Sequence, residues 1–203
     1  EKSFEVSRSN NFTNNLSSGT VNSLHFQNLD VISCLLDEDE HFASYFDAEP
    51  CNFSVSFGFM HHVPTQPLRG KTLQALINQT QSGGLIAVSF WQFMNNESLA
   101  KKAQRTHQEA LEFFHAFSTG EKKAYSGADS KNQLRLDVSQ LEEGDFFLGW
   151  KDIPGQYRYC HNFTEQEIDK LVSLVSDEAR VVSRFLADGR TNNLNSYLIL
   201  QKH

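Results

Sequence analysis

Long hydrophobic runs are missing from this sequence of 203 residues, and so is any surplus of positive charge. No stretch approaches the roughly 20 apolar residues that a membrane-spanning helix needs, so no membrane association is expected. Lys and Arg number 18 against 25 Asp and Glu, a formal net charge of -7. Such a chain is a poor general polyanion binder, because phosphate binding draws on clustered cations. If it handles nucleic acid, the basic surface is local or a partner supplies it. The pairs Lys101-Lys102 and Lys122-Lys123 are too sparse for an RNA track and read as solvated faces. Only three cysteines occur, Cys34, Cys51 and Cys160, and none makes a CxxC pair. An odd, scattered set argues against a disulfide framework and a zinc ribbon. It suits inert thiols in a reducing compartment. No signal-peptide pattern stands at Glu1, so a cytoplasmic location is the expectation.

What is present is enough apolar material for one core: 39% hydrophobic residues, including 17 Phe. The length suits one α/β domain over residues 1–203. Ser3 to Val6 reads as a short strand, and the alternation of Leu24 and Phe26 as a second one ending near Asp30. Val31 to Phe46 is partly helical in pattern. In "FSVSFGF", Phe53, Val55, Phe57 and Phe59 share one face of a strand. Pro64 and Pro67 precede a helix carrying Leu73, Leu76, Ile77 and Thr80, which Gly83-Gly84 ends. Leu85 to Phe90 is the next strand. Leu99, Ala103, Thr106, Ala110, Phe113 and Phe117 then form one helical stripe. Ser118 to Lys131 is a polar loop. Thr164-Glu165-Gln166-Glu167 is a capping box opening a helix with Ile168, Leu171, Val172 and Val175 inside. Two extended runs around "DGRTNN" close the chain as a hairpin.

Strands alternating with helices and ending in a hairpin predict an open, mostly parallel α/β sheet with helices on both faces and one reversed edge strand. Ligands in such sheets sit beyond the carboxyl ends of the strands. Asp30, the stretch from Gly58 to His62, and Trp91 with Gln92 fall at those ends. His61 and His62 would point to opposite sides of an extended backbone. No further ligand falls at a usual metal spacing, so no metal is expected.

The hairpin from Phe185 to Arg190 and from Leu194 to Tyr197 resembles the end of a class I S-adenosylmethionine-dependent methyltransferase. "FGFMHHVP", "SGGLIAVSFWQF" and "GWKDIPGQYRYCHNF" resemble the tRNA wobble-uridine carboxymethyl methyltransferase branch and its bacterial relatives. The resemblance covers nearly the whole chain. It implies a Rossmann-like fold, S-adenosyl-L-methionine as cofactor, and a methyl acceptor in tRNA, with a small adaptor protein as a further partner. Two departures stand out. The glycine-rich loop after the first strand of that fold is absent, which implies about 40 further residues upstream, one strand-helix unit with its turns. Ser7 stands where an acid would hold the ribose, and Glu5 is two residues earlier.

Carried onto this sequence, the resemblance implies a cofactor site from Ser7, Asp30, Val31, Phe59, Met60 and His61. Asp30 would face adenine; read from the residues alone, it is equally a helix N-cap. Trp91, Trp150, Tyr157 and Tyr159 would pack on the acceptor, with Arg158 and His161 as catalytic groups. Tyr157 and Tyr159 alternate with Arg158, so one face of an extended strand cannot carry both a ring stack and a cationic clamp. Two other functions stay open: a small-molecule methyltransferase, and a methyltransferase-like scaffold that binds no cofactor.

Overall fold

The computed structural model describes residues 26–36, 48–118, 137–150, 153 and 155–203, with backbone only at 117 and 118. The readings made for Glu5, Ser7 and the strand from Ser3 to Val6 lie outside the described residues, as does the loop from 119 onward. The chain divides into two compact units, Glu1–Asp47 and Ala48–His203.

In the first unit the described element is helix α1, Val31–Leu36. Residues 26–30 form no strand, which corrects the strand expected to end near Asp30. Asp30 instead caps α1. Its carboxylate accepts the Ser33 N–H at 3.1 Å and the Ser33 hydroxyl at 2.9 Å. Those two bonds hold its pKa below the usual carboxylate value. The N-cap reading of Asp30 is therefore realised, and Val31 is the first helical residue.

The second unit is built on four strands. They are β1 (Cys51–Ser56), β2 (Thr80–Trp91), β5 (Ala179–Ala187) and β6 (Asn195–Lys202), in the order β1-β2-β6-β5. β1 runs parallel to β2, and β6 is antiparallel to both β2 and β5. Three strands thus share one direction and the C-terminal strand is reversed. The fold is an α/β sheet of Rossmann-like character. The reversed strand is interior and β5 holds the edge, which corrects the reversed edge strand expected from sequence. The inner strand β6 buries Ser196, Leu198 and Leu200, while β5, which carries Arg180 and Arg184, is mostly exposed at the edge.

Helices α2 (Gln66–Asn78) and α4 (Glu165–Ser173) cover one face of this sheet. Leu73 and Ile77 from α2, and Ile168 and Leu171 from α4, pack on Ile86, Val88, Phe90, Leu198 and Leu200. The capping box at Thr164 is formed in both directions with Glu167. Helix α2 lacks a side-chain cap of its own. Glu142 replaces it from far along the chain, accepting the Gln66 N–H at 3.1 Å.

Two local features differ from expectation. Gly83-Gly84 does not end α2; it lies inside β2, in an irregularity where Cys51 pairs with Thr80 but Phe53 pairs with Leu85. A Cβ on Gly84 would meet the Asn52 and Gln81 carbonyl oxygens at 2.9 Å, so the close approach of two backbones requires glycine. In β1 the serine side faces inward. Ser54 is buried and satisfied by the Thr80 hydroxyl at 2.7 Å, while Phe53 and Val55 are 55% and 50% exposed.

Helix α3 (Glu97–Ser118) carries the expected stripe, with Ala103, Thr106 and Ala110 buried. It packs against a separate two-stranded sheet of β3 (Asp145–Gly149) and β4 (Tyr157–His161). The aromatic segment is thus a hairpin of its own and not an added edge strand. Among the described residues, no helix is long and apolar enough to cross a membrane.

Candidate functional site

Beyond the carboxyl ends of β1 and β2 lies a cavity of about 350 Å³. That is within the range of small-ligand pockets. Phe57, Gly58 and His61 line it from the end of β1, Ser89 and Trp91 from β2, Arg158 from β4, and Asn195 and Tyr197 from β6. Gly58 adopts a positive φ of 66°, which turns the chain out of the strand, and its N–H donates to the Ser89 hydroxyl at 2.9 Å. Residues 60–62 form a single 3-10 turn. The extended geometry expected for the two histidines is therefore absent, and their rings lie 4.1 Å apart. His61 also meets the Trp91 ring at 4.9 Å. Burial, with His62 and Arg158 adding to it, lowers the His61 pKa to about 3. The ring is a neutral imidazole at ordinary pH.

Arg158 gives the site its charge. Its guanidinium carbon lies 5.7 Å from the centre of the Trp91 ring and 4.9 Å from that of Trp150. Its Nε is buried and makes no hydrogen bond. A buried donor without a partner is costly and uncommon, and sites that await a ligand are where it is tolerated. A guanidinium on a cavity wall offers planar, forked recognition of a carboxylate or phosphate.

The neighbours of Arg158 along β4 point elsewhere. Tyr157 packs on Phe113 and Phe114 of α3. The Tyr159 hydroxyl donates to Asp145 Oδ1 at 2.6 Å and accepts from Arg69 Nη2 at 2.8 Å. His161 is wholly buried, with Nδ1 at 2.6 Å from Asp145 and Nε2 at 2.9 Å from Glu167. Both ring nitrogens face carboxylates, so both donate and the ring is an imidazolium. Burial opposes that charge, but the bonds to Asp145 and Glu167 outweigh it and raise the His161 pKa. Burial likewise works against the Glu167 carboxylate, yet bonds from His161 and Thr164 pull its pKa down to about 2. Arg69, 2% exposed, completes the network with bonds to Glu142 at 2.8 Å and to the Val63 carbonyl at 3.0 Å. The network borders a second cavity of about 590 Å³, lined in part by the Arg69–Glu142 pair and by Glu167.

The structure therefore brings together His61, Trp91, Trp150 and Arg158 from the residues singled out in the sequence. Tyr157, Tyr159 and His161 lie outside the cavity. Met60 is fully buried in the main core, and Phe59 does not line the cavity. Asp30 and Val31 belong to the first unit. Gln92 turns away to Glu165, 2.6 Å from its carboxylate. Sequence reasoning missed Arg69, Asp145, Ser89 and Asn195. A signal existed for Arg69, which stands one turn before Leu73 on the apolar side of α2.

One nitrogen each from His61 and His62 and the Cys160 sulfur lie within 4.8 Å of one another. Cys160 comes from 98 positions away, which is why spacing gave no hint of it. Burial raises the thiol pKa to about 11. His62 Nδ1 is already engaged with the Tyr159 carbonyl at 3.0 Å. The neighbouring Arg158 cation works against a divalent ion here.

No protein-family model matches the chain, and no curated protein matches it. Among solved structures, it is similar to an S-adenosylmethionine-dependent methyltransferase from Methanosarcina mazei. Identity is 19%, with 79% of this chain and 64% of that one covered, at a TM-score of 0.47. A second such methyltransferase, from Clostridium acetobutylicum, aligns at 9% identity over 78% of this chain and 61% of that one, with a TM-score of 0.43. The chain spans less than two thirds of the length of either structure.

Proposed function

We propose that this chain is part of an S-adenosylmethionine-dependent methyltransferase. Its acceptor pocket is the cavity at the ends of β1 and β2, and its acceptor is a planar ring bearing a carboxylate. Carboxymethylated wobble uridine in tRNA is the acceptor that the sequence resemblance favours. The observation that carries this reading is Arg158, a guanidinium between two indole rings with a buried, unpartnered Nε on the wall of that cavity.

The ring faces of Phe57, Trp91 and Tyr197 on this cavity suit the sulfonium end of the cofactor, and His61 beside them adds no charge of its own. Bound S-adenosylmethionine would supply an electrophilic methyl group to an acceptor carboxylate oxygen, with S-adenosylhomocysteine as the leaving group. A carboxylate is already ionised near neutral pH, so no general base is needed. The protein's contribution is orientation, which can supply about 7–11 kcal/mol of a barrier. Arg158 fixes the carboxylate, and Trp91 offers a face for the ring.

A second reading keeps the pocket and the chemistry but takes a small-molecule carboxylate. The net charge of -7 favours it, since no basic track for RNA accompanies the site. Two experiments decide. Calorimetry with S-adenosylhomocysteine tests cofactor binding, and no binding leaves the scaffold function. Incubation with tRNA bearing carboxymethylated uridine, followed by mass analysis of nucleosides, tests the acceptor. A methyl ester absent with Arg158→Ala supports the tRNA reading. No product on RNA, with cofactor bound, moves the acceptor to a small molecule.

A further inference from the structure

Arg158 takes its position from β4, because its Nε has no hydrogen-bond partner and its guanidinium rests on ring faces. The next residue, Tyr159, is pinned at both ends. Its carbonyl oxygen faces His62 Nδ1 at 3.0 Å, and its hydroxyl lies between Asp145 and Arg69 at 2.6 and 2.8 Å. Asp145 stands on β3, opposite His161 of β4, and Arg69 is buried in α2. Successive residues of a strand point to opposite faces. Fixing the Tyr159 side chain on one face therefore fixes the direction of Arg158 on the other.

We propose that Tyr159 is a positioning residue for the Arg158 clamp. Its hydroxyl ties β4 to Asp145 and Arg69, and so holds the guanidinium between Trp91 and Trp150 over the cavity. The inference deepens the acceptor reading and rests on it only for the identity of the anion. It explains why an aromatic-cation-aromatic triplet is useful although its members do not share a face: the cation reads the ligand and the phenol sets the cation.

The chain has two tryptophans, and both flank Arg158. Intrinsic tryptophan emission therefore reports the clamp directly, with or without methyl transfer. The experiment compares the full chain with Tyr159→Phe, Arg158→Ala and Val175→Ala. The last is a core control: Val175 lies in the main core cluster, whereas Trp91 packs on the other one. Emission of folded Tyr159→Phe is expected to move toward that of Arg158→Ala, while the control keeps the parental spectrum. Affinity for 5-carboxymethyluridine should fall about fivefold, the worth of one ordinary hydrogen bond. Affinity for S-adenosylhomocysteine should stay within about twofold. A purely structural Tyr159 would lower the melting temperature and leave emission and carboxylate affinity unchanged, and that result overturns the proposal. If Tyr159→Phe does not fold, Asp145→Ala is read in the same way, because it removes the acceptor of the Tyr159 hydroxyl. If the parent chain binds no carboxymethyluridine, the acceptor reading fails, and the emission comparison still decides the role of Tyr159.

Discussion

His161 Nδ1 lies 2.6 Å from Asp145 Oδ1, and both side chains are buried. With Glu167 on the other ring nitrogen, the imidazolium joins the hairpin to the first turn of α4. His161, expected from sequence as a catalytic group, makes this bridge away from the cavity lining.

That bridge makes stability depend on pH in a stated direction. The raised His161 pKa contributes stability that is fully present below the ordinary histidine value of 6.5 and is lost as pH rises through the folded value. The depressed Glu167 pKa contributes stability present above 4.5 and lost as pH falls toward about 2. Both contributions are complete between 4.5 and 6.5. His61 works the other way below 6.5, because only the unfolded chain protonates it until about pH 3. Denaturant midpoints measured across pH should show His161→Gln losing most in that window and least at alkaline pH. A constant difference at every pH would refute the bridge.

Arg158→Lys should fail to restore the clamp. Lysine keeps the charge but has no planar face to lie between Trp91 and Trp150. Binding of 5-carboxymethyluridine should be weaker by about 1–3 kcal/mol in both Arg158→Lys and Arg158→Ala. Calorimetry that finds the lysine variant equal to the parent would show that charge alone suffices.

Arg69→Met removes the cation that faces Glu142, Asp145 and Tyr159 from inside the fold. Breaking a buried ion pair from one side costs about 3–5 kcal/mol. Urea denaturation should show a loss of that size. A loss below about 1 kcal/mol would mean that His161 alone compensates Asp145.

Gly84→Ala should be destabilising by about 1–3 kcal/mol, since the new methyl group meets two backbone oxygens that cannot swing aside. Gly58→Ala tests a different cause, at the other end of the β1–β2 pair. There the added Cβ meets open space and only the positive φ resists it. The thermal shift should be larger at Gly84.

Much of the fold was legible from local patterns. The extended runs around "DGRTNN", the stripe on α3 and the capping box at Thr164 each report a pattern set by residues a few positions apart. The position of the site at the strand ends followed from the order of those elements. What the sequence alone determined is therefore the α/β class, most of its helices and strands, and the place of His61 and Trp91 at the ends of strands. Tertiary structure alone decided which of the neighbouring residues face the cavity. Tyr159 and His161 sit beside Arg158 in the chain, but Asp145, Arg69 and Glu167 draw them to the far side of β4, and no local pattern encodes those partners. It also decided that Ser54 faces inward while Phe53 does not, because Thr80 meets the serine hydroxyl across 26 positions of chain. Spacing along a sequence is a one-dimensional signal, and a buried polar network closes only where distant segments meet.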